Sequence, residues 1–326
     1  MRVADTIKRK TLGSLRGVFA SQGQLDDLAF LAGQTAARQV RAMTKLRSLY
    51  DAEFRVSSQW GEDGIIEWLV HQLESVPETF IEFGVENYRE SSTRFLLQHR
   101  NWRGLVIDGS RDHVDFIRKD RISWRHDLSA IASFITRENI NSLISDAGFG
   151  GELGILSIDI DGVDYWVWEA ITCVRPQIII AEYNSAFGDL LPLTVPYASD
   201  FSRSRAHYSN LYYGLSIRAA EHLACKRGYK LVGTNRVGSN AFFVRNDRAA
   251  DILGRLDVVE DRPSRFRESV GVDGKMTFTA PAKRASSLAS LPVVDVSRDL
   301  QMTLEQAGPL FSPRWQVLLN GQLTPP

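Results

Sequence analysis

The sequence is short of cysteine: Cys173 and Cys225 are the only two among 326 residues. Two thiols cannot build a disulfide framework or a cysteine-rich zinc site. Both fall in apolar, helix-like surroundings, which predicts free buried thiols in a reducing compartment. An excess of one charge is also missing, since 39 Lys+Arg balance 39 Asp+Glu. That balance excludes the basic surplus of a general nucleic-acid binder. No apolar run approaches the ~18–20 residues that cross a bilayer. The opening residues, MRVADTIKRK, lack the apolar centre of a secretory signal, so the expectation is a cytoplasmic protein. What is present, 44% hydrophobic and 24% charged residues, is the make-up of an ordinary globular chain. Its length suits one large domain with attachments, or two domains.

Three segments differ in pattern. Residues 1–57 are basic at their start: up to Tyr50 there are nine Lys and Arg against Asp5, Asp26 and Asp27. Leu12, Leu15, Val18 and Phe19, then Leu25, Leu28, Ala29 and Leu31, recur at helical spacing, predicting two amphipathic helices broken near Ser21-Gln22-Gly23. Such an N-terminal helical extension packs on the main domain or on a second copy of the chain, or makes peripheral contact with the inner membrane surface through residues 1–50. Residues 58–246 alternate strand and helix. Residues 247–326 carry Pro263, Pro281, Pro292, Pro309 and Pro313 with little sustained period, predicting an irregular C-terminal extension packed on the core.

Within 58–246, short apolar runs read as strands at Phe80–Gly84, Gly104–Gly109, Ile122–Trp124, Gly154–Asp161 and Gln177–Glu182. Helical periods separate them, including a stretch at 131–144, a short helix at Tyr165–Ile171 and a longer one closing at Gly228. Buried strands with helical crossovers make a parallel sheet covered on both faces. Tyr229–Gly233 and Ala241–Val244 are joined too briefly for a crossover, so they pair antiparallel. The expected architecture is α/β: a doubly wound, mostly parallel, seven-stranded Rossmann-like sheet of class I methyltransferase order, ending in an antiparallel hairpin.

In such a sheet ligands sit at the carboxyl ends of the strands. Those ends bring forward Glu82 and Gly84, Asp108, Asp127, Asp159 and Asp161, and Glu182 and Asn184. Carboxylates gathered on one rim repel one another unless a cation or ordered hydroxyls intervene. Glu82 and Asp108 suit an adenosyl cofactor, Asp108 facing ribose hydroxyls and Gly84 admitting a close backbone approach. Asp161, Glu182 and Asn184 offer hard oxygens suited to Mg²⁺ or Mn²⁺. Asp164 falls near the N-terminus of the Tyr165–Ile171 helix and reads as its N-cap. His207, after the irregular 192–205 stretch and beside Tyr197, Arg203, Arg205 and Tyr208, is the candidate general base, with Asp159 as the other. His222 reads as a packed or surface histidine.

Together these motifs resemble the FkbM-like group of S-adenosylmethionine-dependent methyltransferases, in the bacterial branch associated with glycan and polysaccharide synthesis. The resemblance is carried by SQWGEDGII at 58–66, FIEFGVE at 80–86, WRGLVIDG at 102–109, LSIDIDGVDYW at 156–166, AEYNS at 181–185, YGLS at 213–216 and GSNAFF at 238–243. It implies cofactor binding at Glu82, Gly84 and Asp108, and O-methylation of a sugar or glycan hydroxyl near Asp161, Glu182 and Asn184. The loop after Gly84 departs from the usual glycine-rich form, reading Val85-Glu86-Asn87-Tyr88-Arg89-Glu90. Ser91, Ser92 and Thr93 then supply donors where the next helix starts. Two other readings remain open at this point: a metal-dependent glycan-processing transferase on the same scaffold, and a non-catalytic interaction module.

Overall fold

A computed structural model describes residues 24–321. In chain order its elements are α1 (24–41), α2 (Glu62–Gln72), β1 (Thr79–Phe83), α3 (Arg94–Arg100), β2 (Arg103–Asp108), α4 (Arg111–Lys119), α5 (Ile122–Arg125) and β3 (Leu128–Ala132). There follow α6 (Ile140–Asp146), β4 (Gly151–Ile158), α7 (Asp164–Ala170), β5 (Val174–Glu182), β6 (Leu193–Thr194), α8 (Arg203–Ala206) and α9 (Ile217–Arg227). The chain continues through β7 (Tyr229–Thr234), β8 (Asn240–Arg245), α10 (Asn246–Leu253), α11 (Pro281–Arg284), β9 (Pro292–Asp295), β10 (Leu300–Thr303) and α12 (Pro313–Leu319).

The main sheet runs β3-β2-β1-β4-β5-β8-β7. Strands β1 to β5 are parallel, and β8 is antiparallel to both β5 and β7. This is the expected class I methyltransferase order with its antiparallel hairpin. Strand order reverses between β1 and β4, which opens a crevice at their carboxyl ends. Side-chain alternation explains the continuous apolar runs. Ile81, Phe83, Leu105, Ile107, Leu156 and Ile179 face a core completed by Ile144, Trp168 and Leu223, whereas Phe80, Val106, Ile155 and Ile178 face Ile65, Leu69, Leu96 and Ile252. Helix α9 starts where Ser216 Oγ accepts from Ala219 N–H and ends at Gly228, whose φ of 83° closes it as a C-cap.

Several expectations change. Ile122-Ser123-Trp124 is not a strand but lies in the four-residue α5. Asp120 Oδ1 accepts from Ile122 N–H at 2.9 Å and turns the chain into that helix, leaving Trp124 72% exposed. The third strand is Leu128–Ala132, half-buried along its length at the sheet edge. Its sequence, Leu128-Ser129-Ala130-Ile131-Ala132, is short, and the alanines and serine dilute the apolar signal. The helical stretch expected over 131–144 consequently shrinks to α6. The tail is more regular than expected, for β9 and β10 join β6 in a second, antiparallel sheet. Cys173 lies half-buried in the connection between α7 and β5, and Cys225 is exposed, so the pair of buried helical thiols is corrected.

The first of the two expected N-terminal helices lies outside the described residues. The second is α1, and it packs through Gly33, Ala37 and Val40 rather than through its leucines. A Cβ at Gly33 would lie 2.3 Å from Val56, so glycine permits the approach. Leu25, Leu28 and Leu31 are exposed. Among the described residues no helix is long and apolar enough to cross a membrane.

Candidate active site

One cavity of about 490 Å³ opens at the carboxyl ends of β1, β2, β4 and β5. Its walls bring together Glu82, Gly84, Ser91, Asp108, Asp159, Asp161, Glu182 and Asn184 from the sequence-derived set. Asp127 and His207 are not among its lining residues.

At the β1–β2 end the backbone is shaped tightly. Gly84 has φ of 68°, and a Cβ there would fall 1.7 Å from the Asp159 carbonyl oxygen. Only glycine lets β1 and the segment after β4 meet so closely. Glu82 is buried and accepts from Ser91 Oγ at 2.6 Å, from Ser92 N–H at 2.9 Å, and from both Thr93 N–H and Thr93 Oγ1. Burial raises its pKa although these donors oppose the shift. Its carboxylate thus orders the loop that leads into α3, and Ser91 serves as one of its donors. Asp108 Oδ2 accepts from Glu86 N–H at 2.7 Å, and Oδ1 from Ser110 N–H at 2.8 Å with His113 Nδ1 at 3.3 Å. A carboxylate has about four lone-pair positions, so capacity is left for hydroxyl donors from a ligand. The half-exposed Phe134, just past β3, offers an aromatic face on the same side.

At the β4–β5 end, register places the acids together. Ile158 pairs with Ala181, so the next residues, Asp159 and Glu182, leave neighbouring strands side by side. Asp161 follows in a left-handed turn with φ of 52°. One carboxylate oxygen from each of Asp159, Asp161 and Glu182 lies within 4.8 Å of the others. Burial, then the charges of Asp161 and Asp164, pushes Asp159 well above the usual carboxyl range. Burial, then Asp159 and Asp161, does the same to Glu182. Arg203 pairs with Asp161 and lies 4.1 Å over the Tyr213 ring. Tyr213 donates its hydroxyl to Glu182 at 3.3 Å. Arg203 therefore offsets the charge of three carboxylates. Protonation or a second cation relieves what remains.

The other sequence candidates are redistributed. Asn184 lines the cavity, but its amide is occupied: Nδ2 donates to the Leu211 and Tyr213 carbonyls at 2.8 and 3.0 Å, and Oδ1 accepts from Ala186 N–H. Asp159 takes its place in the oxygen cluster. Asp164 accepts from Ile160 N–H at 2.8 Å and Gly162 N–H at 2.9 Å, which orders the turn carrying Asp161. Asp127 precedes β3 instead of ending it, and its exposed carboxylate lies 3.7 Å from Arg103. His126 is likewise at the wrong end of that strand and contacts Asn101. His207 Nδ1 is paired with Ser209 Oγ at 2.7 Å, so its loop is pinned by the ring. Neither Asp127 nor His207 reaches the cavity.

Several further residues complete the cavity wall. Glu62, in the GEDG turn, accepts from Trp60 N–H, Gly61 N–H and the Asn235 and Asn240 side chains. It ties the 57–61 loop to β8, and Trp60 then meets Phe266 edge-on at 5.5 Å. Phe266, Glu268 and Arg284 come from the tail, where neither period nor motif marks them.

No protein-family model matches the sequence, and no curated protein matches it. Among solved structures the chain is similar to the O-methyltransferase from Bacillus cereus in complex with SAH, at 15% identity over 54% of this chain and 76% of that one, with a TM-score of 0.35. It is similar to the N-terminal domain of EvdMO1 with SAH bound, at 8% identity, covering 57% and 80%, with a TM-score of 0.38. A third likeness is to the pyocyanin biosynthetic protein PhzM, at 12% identity and a TM-score of 0.34, covering 53% of this chain and 52% of that one. The chain thus spans about half the length of PhzM.

Proposed function

We propose that the chain is an S-adenosylmethionine-dependent O-methyltransferase whose acceptor is a hydroxyl of a sugar or glycan. The observation that carries this is a single cavity at the strand-order reversal, with Gly84 and Asp108 at one end and a half-buried carboxylate cluster at the other. S-adenosylmethionine supplies an electrophilic methyl group on a sulfonium. Asp108 holds the ribose hydroxyls, and the Gly84 turn admits the rest of the donor against backbone. The acceptor oxygen attacks the methyl carbon, the carbon–sulfur bond breaks and its electron pair stays on sulfur. The hydroxyl proton passes to the carboxylate form of Asp159, whose proton affinity is raised by burial and by the neighbouring acids. Arg203 and Tyr213 hold Asp161 and Glu182 in place around that oxygen.

The carboxylate oxygens of Asp159, Asp161 and Glu182 are also a fit for Mg²⁺ or Mn²⁺, being hard donors at suitable mutual separation. An ion held by them would supply positive charge favouring the alkoxide form of the acceptor. Calorimetric titration with S-adenosylmethionine tests the core of the reading: saturable binding is expected, reduced more than tenfold in Asp108→Ala. Absence of binding to the intact chain rejects it. Turnover unchanged in excess chelator would remove the metal and leave Asp159 as the base alone.

A further inference from the structure

Arg284 closes the short helix α11 and is only 5% exposed, yet it lines the cavity with Asp161, Glu182, Arg203 and Tyr213. Its Nε and Nη2 are buried without any acceptor. Among the described residues no carboxylate lies within ion-pair distance of it, in contrast to Arg203 with Asp161, or Arg41 and Arg100 with Glu67. Burial disfavours its charge, Tyr213 opposes that effect, and Arg267, of the same sign, adds to it. A guanidinium stays ionised, carries five donors in a planar fork, and is costly to bury without a counter-charge. The fork matches the paired oxygens of a carboxylate or phosphate.

We propose that Arg284 is the counter-charge for an oxyanion carried by the acceptor, so that the enzyme selects acidic sugars, uronates or sugar phosphates, over neutral ones. This deepens the methyl-transfer reading and rests on it. The carboxylate cluster repels an anion, so the acidic group docks on Arg284 and the hydroxyl is left to face Asp159. The cavity is polarised, and that polarity sets which end of the sugar meets the methyl donor.

The test uses the full chain saturated with S-adenosylhomocysteine and titrated with glucuronate, glucose 1-phosphate and methyl glucoside. At least one acid is expected to bind tenfold or more tighter than the neutral glucoside, and the tighter of the two acids identifies the oxyanion. In Arg284→Met the preference should fall below twofold, with S-adenosylhomocysteine affinity kept within twofold of wild type. Without ligand this variant should melt at or above the wild-type temperature, because an uncompensated buried charge has been removed. Equal binding of acid and neutral sugar, no binding of either acid, a preference that survives the substitution, or a melting temperature lowered by several degrees would each overturn the proposal. If S-adenosylhomocysteine itself fails to bind wild type, the methyl-transfer reading falls, and the sugar titrations run without it still decide the role of Arg284.

Discussion

Asp159 is the side chain on which the proposed chemistry turns. It directly follows the apolar strand β4 at the half-buried rim of the cavity, and desolvation together with the neighbouring acids raises its proton affinity. Asp159→Asn should lower the single-turnover rate of methyl transfer by about 10²–10⁴-fold, the usual contribution of a positioned base. Binding of S-adenosylhomocysteine should stay within threefold of wild type, because the donor end of the cavity is untouched. A parallel loss of binding in calorimetry would assign Asp159 to donor recognition instead. Gly84 makes the opposite kind of prediction. With a carbonyl oxygen 1.7 Å from where a Cβ would stand, Gly84→Ala must move β1 away from the segment after β4. Donor affinity should fall at least tenfold, and the left-handed φ adds about 1–2 kcal/mol of destabilisation.

Among the elements, the turn into α2 gives a pH test. Asp63 Oδ2 accepts from Val56, Ser57 and Ser58 N–H and from Ser58 Oγ, while Oδ1 is buried with no partner. Burial outweighs the four donors and pushes the carboxyl up to about 6. A raised folded-state pKa means that the folded form holds the proton more tightly than the unfolded chain. The associated stability is complete below about pH 4 and is lost as pH rises through 6. Unfolding free energies of wild type measured against Asp63→Asn should therefore diverge by up to about 3 kcal/mol between pH 4 and pH 7, wild type losing ground with rising pH. A flat difference across that range would show the carboxyl ionised throughout.

The molecule as a whole depends on the tail being fastened to the Rossmann-like core. Asp261 accepts from Arg218, Arg314 and the buried Trp315 Nε1, the last at 2.8 Å. Asp189 accepts from Ser312 N–H at 2.7 Å and from Ser312 Oγ. The cavity walls Phe266, Glu268 and Arg284 lie in the tail between these two anchors. Asp261→Ala leaves a buried indole N–H unpaired, at about 1–3 kcal/mol. It should lower the denaturation midpoint and weaken acceptor binding more than donor binding, since Gly84 and Asp108 do not depend on the tail. An equal effect on both ligands would mean that the tail supports the whole cavity.

Most strands of the main sheet are legible in the residues alone. Apolar strands read off residue by residue because each is buried on both faces, and an acid at a strand's carboxyl end can be placed by counting. Glu82, Asp108, Asp159, Asp161 and Glu182 therefore reach one cavity without knowledge of any contact. The third strand is not legible because it is a short, half-buried edge strand whose alanines and serine dilute Leu128 and Ile131, and Asp127 shifts with it. Which atoms of those side chains remain free depends on the partners that folding brings to them. Glu82 is occupied by Ser91, Ser92 and Thr93, Asn184 by two carbonyls of the 211–213 segment, and His207 by Ser209. Arg203, Tyr213 and Arg284 arrive from loops and from the tail, whose path is set by packing rather than by period. Periodicity follows from burial on a regular backbone. Hydrogen-bond occupancy follows from which distant segments happen to meet.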